Sequence, residues 1–154
     1  MTLQRPIRIL FVCHGNICRS TMAQSVLNWL ADQRGLADKI VVDSAATSTE
    51  ELGNSVHPGT VAKLRDMSIP CIPHRARQIN LADIERFDLF IGMDEANVRN
   101  IRRMLGKEAN ASKLLDYTDH PRDIADPWYT LNFDDTFDDI LEGCNALLDS
   151  LFCS

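Results

Sequence analysis

The sequence predicts an α/β fold: a single domain over residues 1–154 with a four-stranded parallel sheet in the order 2-1-3-4 and helices on both faces, giving three layers. Three observations carry that expectation. Short apolar runs alternate with longer segments whose apolar residues recur every three or four positions, the signatures of strand and helix in turn. Prolines and glycines such as Pro6, Gly35, Pro58 and Pro70 fall where one segment gives way to the next. The chain has 154 residues and is 45% hydrophobic, enough to bury one real core. Strand–helix–strand alternation closes into a parallel sheet through right-handed crossovers, which places helices on both faces.

Taken in order, Ile7 to Val12 reads as a buried strand bounded by Pro6 and Gly15. Met22, Ala23, Val26, Leu27 and Leu30 then mark one face of a helix from about Ser20 to Arg34, with Gly35 as its stop. Ile40 to Val42 is a short second strand, followed by the polar stretch Ser44 to Ser55. Pro58 opens a second helix with Val61 and Leu64 inward, and a loop with Pro70 and Pro73 follows. Leu81 to Phe87 is a short helix and Asp88 to Met93 a third strand. Glu95 to Leu105 is a helix with Val98, Ile101 and Leu105 inward, and Lys113 to Leu115 a brief fourth strand. Residues 116–130 are expected to be irregular. The last helix carries Phe133, Phe137, Ile140, Leu141, Cys144, Leu147, Leu148 and Leu151 on one face.

Sixteen basic against 22 acidic residues give a formal charge of −6, which argues against nucleic acid as a partner. No stretch approaches the roughly 20 apolar residues that span a bilayer, so no membrane is expected. The N-terminal run MTLQRPIRILFV lacks the pattern of a secretory signal. Five cysteines (13, 18, 71, 144 and 153) are an odd number, which fits free thiols in a reducing, cytoplasmic setting; a monomer or weak dimer is expected. Asp134, Asp135, Asp138 and Asp139 lie in the first turns of the last helix, where negative charge is favoured, and read as a solvated face and not as a metal site.

In a parallel sheet, ligands sit beyond the carboxyl ends of the strands. The loop after the first strand ends there, and it reads Cys13-His14-Gly15-Asn16-Ile17-Cys18-Arg19-Ser20. Curling these residues at a helix start turns successive backbone N–H groups inward and makes an anion nest. Gly15 and Asn16 tolerate the backbone shapes that such a curl needs. Arg19 adds a planar fork for two phosphate oxygens. The same field favours a thiolate at Cys13, a nucleophile, to which Ser20 can donate a hydrogen bond. The loop does not fit the G-x4-G-K-[ST] pattern of ATP-binding loops.

Cleaving a phosphate ester also needs an acid opposite the nucleophile to protonate the departing oxygen. The late irregular segment offers Asp116, Asp119, Asp123 and Asp126, of which Asp126 is distinguished by Pro127, which extends and stiffens it. An ordinary solvated loop acid is the competing reading. Trp128 and Tyr129 fit either core filling or the wall of a cleft.

The segment Cys13 to Ser20 resembles the signature of the low-molecular-weight protein tyrosine phosphatases. Asp43-Ser44-Ala45, His74-Arg75-Ala76-Arg77-Gln78-Ile79, Met93-Asp94 with Asn97, and Asp126-Pro127-Trp128-Tyr129 fall in that family's order, so the likeness runs over essentially the whole chain. The resemblance implies a cysteine-dependent hydrolase without cofactor, acting on a phosphotyrosine-containing protein or a small aryl phosphate and releasing inorganic phosphate. It implies Cys13 as nucleophile, with Arg19 and the loop residues His14, Gly15, Asn16, Ile17, Cys18 and Ser20 around the phosphoryl group. Asp126 is then the general acid, and afterwards the base that activates water. Asn16, Ser44 and His74 are implied as a hydrogen-bonded network supporting the loop, and Cys18 as a disulfide partner that shields the nucleophile from irreversible oxidation. Trp128 and Tyr129 then wall the substrate cleft, while Asp94 is read as a plain helix cap.

Two departures stand out. Many eukaryotic relatives place a large aromatic at the cleft edge where this chain has Thr49-Glu50-Glu51, so Glu50 brings negative charge there. Thr21 replaces the proline common after the signature. Among rival readings, the protein arginine phosphatases often carry a threonine where Ile17 stands. Arsenate reductases that share the loop need further cysteines, and residues 72–143 contain none. A non-catalytic phosphate-binding or redox-sensing module is the remaining alternative, and intact Cys13, Arg19 and Asp126 argue against it.

Overall fold

A computed structural model describes residues 5–152 of the protein. Cys153 and the start of the N-terminal run, about which the sequence raised expectations, lie outside the described residues. Four strands, β1 (Ile7–Cys13), β2 (Ile40–Ala46), β3 (Leu89–Gly92) and β4 (Ala111–Lys113), form one sheet in the order β2-β1-β3-β4. All three pairings are parallel, with Ile7 opposite Ile40, Ile9 opposite Leu89 and Phe90 opposite Ala111. The strand order is the expected one.

Alternation along β1 explains the layers. Ile9, Phe11 and Cys13 face a core built with Met22, Val26 and Leu27 of α1 (Arg19–Gln33) and Phe137, Ile140, Leu147 and Leu148 of α6 (Phe133–Phe152). Leu10 and Val12 face the other way, against Phe90 and against Ile101 and Leu105 of α4 (Glu95–Leu105). Period-two alternation in one central strand thus feeds a core on each face of the sheet. Two short helices, α2 (Pro58–Asp66) and α3 (Asp83–Arg86), and the single turn α5 (Pro127–Thr130) are the remaining α-helices among the described residues.

Several boundaries differ from the sequence reading. The second strand runs on to Ala46, because Asp43 to Ala46 pair with Leu10 to Cys13 despite their polar look. The fourth strand ends at Lys113. Leu114 and Leu115 are both fully buried, and they form a 3-10 turn over Leu114–Tyr117 instead. Gly143 of α6 admits Leu114 there, since a Cβ on it would sit 2.5 Å from Leu114 Cγ. In α2, Thr60 takes an inward place and Val61 is half-buried. The 116–130 segment is not wholly irregular, as it contains α5. Among the described residues, no helix is long and apolar enough to cross a membrane.

Candidate active site

Cys13 is the last residue of β1 and Arg19 the first of α1, so the connecting loop lies at the carboxyl edge of the sheet. The loop folds around the Cys13 sulfur. Asn16 takes a left-handed conformation (φ 60°), which turns its N–H back to Cys13 Sγ at 3.3 Å. The Ser20 hydroxyl lies 3.0 Å from the same sulfur. Thr21, the residue in place of proline, donates its hydroxyl to the carbonyls of Ile17 (2.8 Å) and Cys18 (3.0 Å), tying the loop to the first turn of α1.

Asn16 is completely buried and holds the loop to its surroundings. Its Oδ1 accepts the Arg77 backbone N–H at 3.2 Å, which fixes that atom as the oxygen, and its Nδ2 donates to Ser20 Oγ at 2.8 Å. His74 Nε2 therefore donates to the same Oδ1, at 2.8 Å. Burial lowers the His74 pKa below its usual range, against the opposing pull of Asp43, whose Oδ1 lies 3.7 Å from Nδ1. Arg77 extends the chain of contacts, pairing with Asp43 at 3.5 Å and through both guanidinium nitrogens with the fully buried Asp83 at 3.1 Å. Ser44 meets the expected network through its backbone, which hydrogen-bonds His74, and not through its hydroxyl. Its hydroxyl donates to Gln24 Oε1 at 2.6 Å, so its side chain braces β2 against α1 and does not reach Asn16.

Arg19 is 2% exposed. Its Nη1 donates to Asp94 Oδ2 at 2.7 Å and to the Ile124 carbonyl at 2.8 Å, while Nη2 lies 3.5 Å from Asp126 Oδ2. Burial alone would lower its pKa, but Cys13, Asp94 and Asp126 together carry it above the usual value. Asp126 has the extended backbone expected of a residue before proline (φ −81°, ψ 115°). Its Oδ1 accepts the Trp128 N–H at 3.0 Å and so caps α5, leaving Oδ2 toward Arg19.

The opposite wall comes from the segment after β2. Thr47 N–H donates to the Cys13 carbonyl at 3.0 Å, and Ser48 binds the His14 carbonyl through its N–H (3.1 Å) and its hydroxyl (2.8 Å). His14 Nε2 meets Glu50 Oε2 at 2.9 Å across the rim. Cys13, His14, Gly15, Ile17 and Cys18 thus face Asp126, Trp128 and Tyr129 across a pocket of about 80 Å³, with Glu50 and Glu51 at its edge. Trp128 and Tyr129 are 51% and 79% exposed, so they wall the pocket and do not fill the core.

The structure therefore brings Cys13, His14, Gly15, Ile17, Cys18 and Asp126 into one pocket, with Arg19, Asn16, Ser20 and His74 behind it. Cys18 is a buried, reduced thiol pushed up to about 12, chiefly by burial and then by the neighbouring Cys13. Asp134 pairs with Lys63 and Asp139 with Arg122, both at 2.8 Å. The reading of Asp94 as a plain cap was incomplete. One oxygen caps α4 by accepting the Asn97 N–H at 2.8 Å, as expected, but the other anchors Arg19. Gln24 and the Ile124 carbonyl also support the pocket, as do Asp43 and Arg77, to which the resemblance assigned no role. Only Asp94 carried a local signal, its capping pattern, and that signal accounts for half of what it does.

The family model for low molecular weight phosphotyrosine protein phosphatase matches residues 8–152. The low molecular weight protein-tyrosine-phosphatase YfkJ of Bacillus subtilis (strain 168) is 40% identical over 149 residues, covering 94% of this chain and 96% of that protein. The crystal structure of YfkJ superposes with a TM-score of 0.90, covering 95% of this chain and 94% of the other. The crystal structure of DARP, a drosophila arginine phosphatase, is similar at 27% identity and a TM-score of 0.84, covering 93% of this chain and 96% of the other.

Proposed function

The chain belongs to the low molecular weight phosphotyrosine protein phosphatase family, and from that premise we propose that it hydrolyses phosphotyrosine in proteins, or small aryl phosphates, through a phosphorylated Cys13. The observation that carries this reading is that Cys13 and Asp126 line one pocket at the sheet's carboxyl edge, with the buried Arg19 guanidinium behind it, 3.5 Å from Asp126 Oδ2.

Cys13 sulfur attacks phosphorus, forming an S–P bond while the P–O bond to the aryl group breaks. Asp126 gives its proton to the departing oxygen, and the phenol leaves. The loop N–H groups and Arg19 hold the equatorial oxygens in place through the transfer. In the second half, the Asp126 carboxylate takes a proton from water, the hydroxyl attacks phosphorus, and the S–P bond breaks to release inorganic phosphate. Ser20, 3.0 Å from the sulfur, stabilises it as it leaves. Each step uses side chains of this chain in a reducing, cytoplasmic setting.

A second reading, phosphoarginine hydrolysis, is raised by the similarity to DARP. The same chemistry would serve it, but Ile17 lines the pocket with an apolar branched side chain, which favours an aryl group over a polar phosphoramidate. Phosphate release from matched phosphotyrosine and phosphoarginine peptides, in reducing buffer with chelator, separates the readings. Turnover of the phosphotyrosine peptide that vanishes in Cys13→Ser is the expected result. Preference for phosphoarginine would replace the substrate and keep the chemistry; no Cys13-dependent turnover of either would sink the proposal.

A further inference from the structure

We infer that His57 is a positioning residue for Asp126: its imidazole is the buttress against which Trp128 rests, holding the acid-bearing turn over the phosphate loop. The inference builds on the reading of Asp126 as general acid.

His57 precedes α2 and touches three elements at once. Its backbone N–H donates to the Ile17 carbonyl at 2.9 Å, tying it to the phosphate loop. Its Nδ1 accepts the Gly59 N–H at 2.9 Å, which caps α2 and sets the ring plane. The ring stacks on Phe133 at 5.3 Å with an interplanar angle of 27°. Phe133 is itself pressed onto the first turn of α2, since a Cβ at Gly59 would collide with its ring. The imidazole is thus clamped between the cap and the stack, with little freedom to turn. Its remaining aromatic neighbour is Trp128, met edge-on at 5.8 Å and 82°.

The acid segment needs such a support. Upstream of Asp126 it is well fixed, by Ile124 N–H to the Met93 carbonyl (2.9 Å), Arg19 to the Ile124 carbonyl (2.8 Å) and the Thr136 hydroxyl to the Ala125 carbonyl (3.2 Å). Downstream, α5 is one turn of four residues, too short to be stable by itself. Tyr129 and Leu131 are largely exposed and Trp128 is half exposed, so the turn's own side chains dock through the buried Pro127 and the Trp128–His57 edge. Asn132 beyond it is held to α6 by the Asp135 N–H at 3.0 Å and the Thr136 hydroxyl at 3.2 Å. Trp128 is also coupled directly to the acid, because its N–H is bonded to Asp126 Oδ1 at 3.0 Å. A loosened Trp128 lets the carboxylate swing away from the departing oxygen.

Two substitutions separate the ring from the cap. His57→Asn keeps a good N-cap acceptor and removes the ring, whereas His57→Phe keeps a ring and removes the acceptor. The measurement is kcat/KM over a series of aryl phosphates, from nitrophenyl to alkylphenyl leaving groups, with Asp126→Ala in parallel and thermal unfolding of every variant. His57→Asn is expected to lose about tenfold on the poorest leaving group and less than about twofold on the best, since a misplaced acid matters only where protonation is needed. His57→Phe is expected to keep the wild-type leaving-group dependence while melting lower than His57→Asn. A role in capping alone predicts the same melting order but reverses the leaving-group readout, with His57→Phe steepened and His57→Asn unchanged. Should His57→Asn keep the wild-type dependence while Asp126→Ala steepens it, the buttress is overturned and the acid assignment stands. Should Asp126→Ala leave the dependence unchanged, the acid assignment falls and takes the buttress with it.

Discussion

Asp94 offers the sharpest test of how the phosphate-binding fork is held. Its two oxygens serve two donors at once, Oδ1 the Asn97 N–H at 2.8 Å and Oδ2 the Arg19 guanidinium at 2.7 Å. Asparagine is as good a helix cap as aspartate, but it has a single acceptor oxygen and no charge. Asp94→Asn must therefore give up one of the two donors, and the cap geometry favours keeping Asn97. Arg19 is then left with the Ile124 carbonyl and the distant Asp126, although it is almost completely buried. Loss of one charge-assisted hydrogen bond to a buried cation costs about 2 kcal/mol. For a chain of this size that corresponds to a fall in Tm of about 4–8 °C. Asp94→Ala loses the cap as well, for about 1 kcal/mol more. Urea or thermal unfolding of the three proteins gives the answer, and kcat/KM read alongside should fall about tenfold in Asp94→Asn as the fork loses its alignment. An Asp94→Asn protein within about 0.5 kcal/mol of wild type, the scatter of ordinary surface substitutions, would refute the anchor and leave Asp94 as a cap alone.

Three further outcomes are expected. Because burial depresses the His74 pKa below its ordinary value of 6.5, the folded state prefers the neutral imidazole. Its stabilising contribution is full above pH 6.5 and is lost as the pH falls through the lowered folded value. The stability difference between wild type and His74→Gln should thus shrink on acidification, and a difference that widens would contradict the sign. Gly143→Ala should destabilise by about 1–3 kcal/mol in urea unfolding, as overpacking does, because the new methyl meets Leu114 Cγ at 2.5 Å; a neutral substitution would show that Leu114 yields freely. Under peroxide, Cys13 oxidised to a sulfenic acid is expected to be attacked by Cys18, releasing water and forming a disulfide that peptide mass mapping detects. Sulfinic acid at Cys13 with Cys18 still free would rule out that protective role.

What the sequence disclosed follows from the range of the signals. The phosphate loop was legible because strand, loop and helix start are contiguous in the chain. Asp126 was legible in outline because proline acts on the residue directly before it. Leu114 and Leu115 misled as a strand because an apolar pair does not reveal which partner buries it, and α6 with its Gly143 decides the matter from far along the chain. Asp94 was legible as a cap for a partner 3 residues on, whereas its pairing with Arg19 spans 75 positions and leaves no local pattern. Ser44 shows how a resemblance names a residue but not the atom, since its hydroxyl goes to Gln24 while its backbone meets His74.

The spread of the pocket along the chain also bears on when it comes into being. Arg19 and Asp126 are 107 positions apart, and the Thr136 hydroxyl that steadies Ala125 lies later still. A chain made from its amino end, at about 5–20 residues per second, exposes Cys13 several seconds before the acid emerges. Long loops also close late and slowly in folding. During synthesis the protein is a bare thiol without a proton donor, and it acquires the means to turn over a phosphate ester only when almost all of its sequence is out and folded.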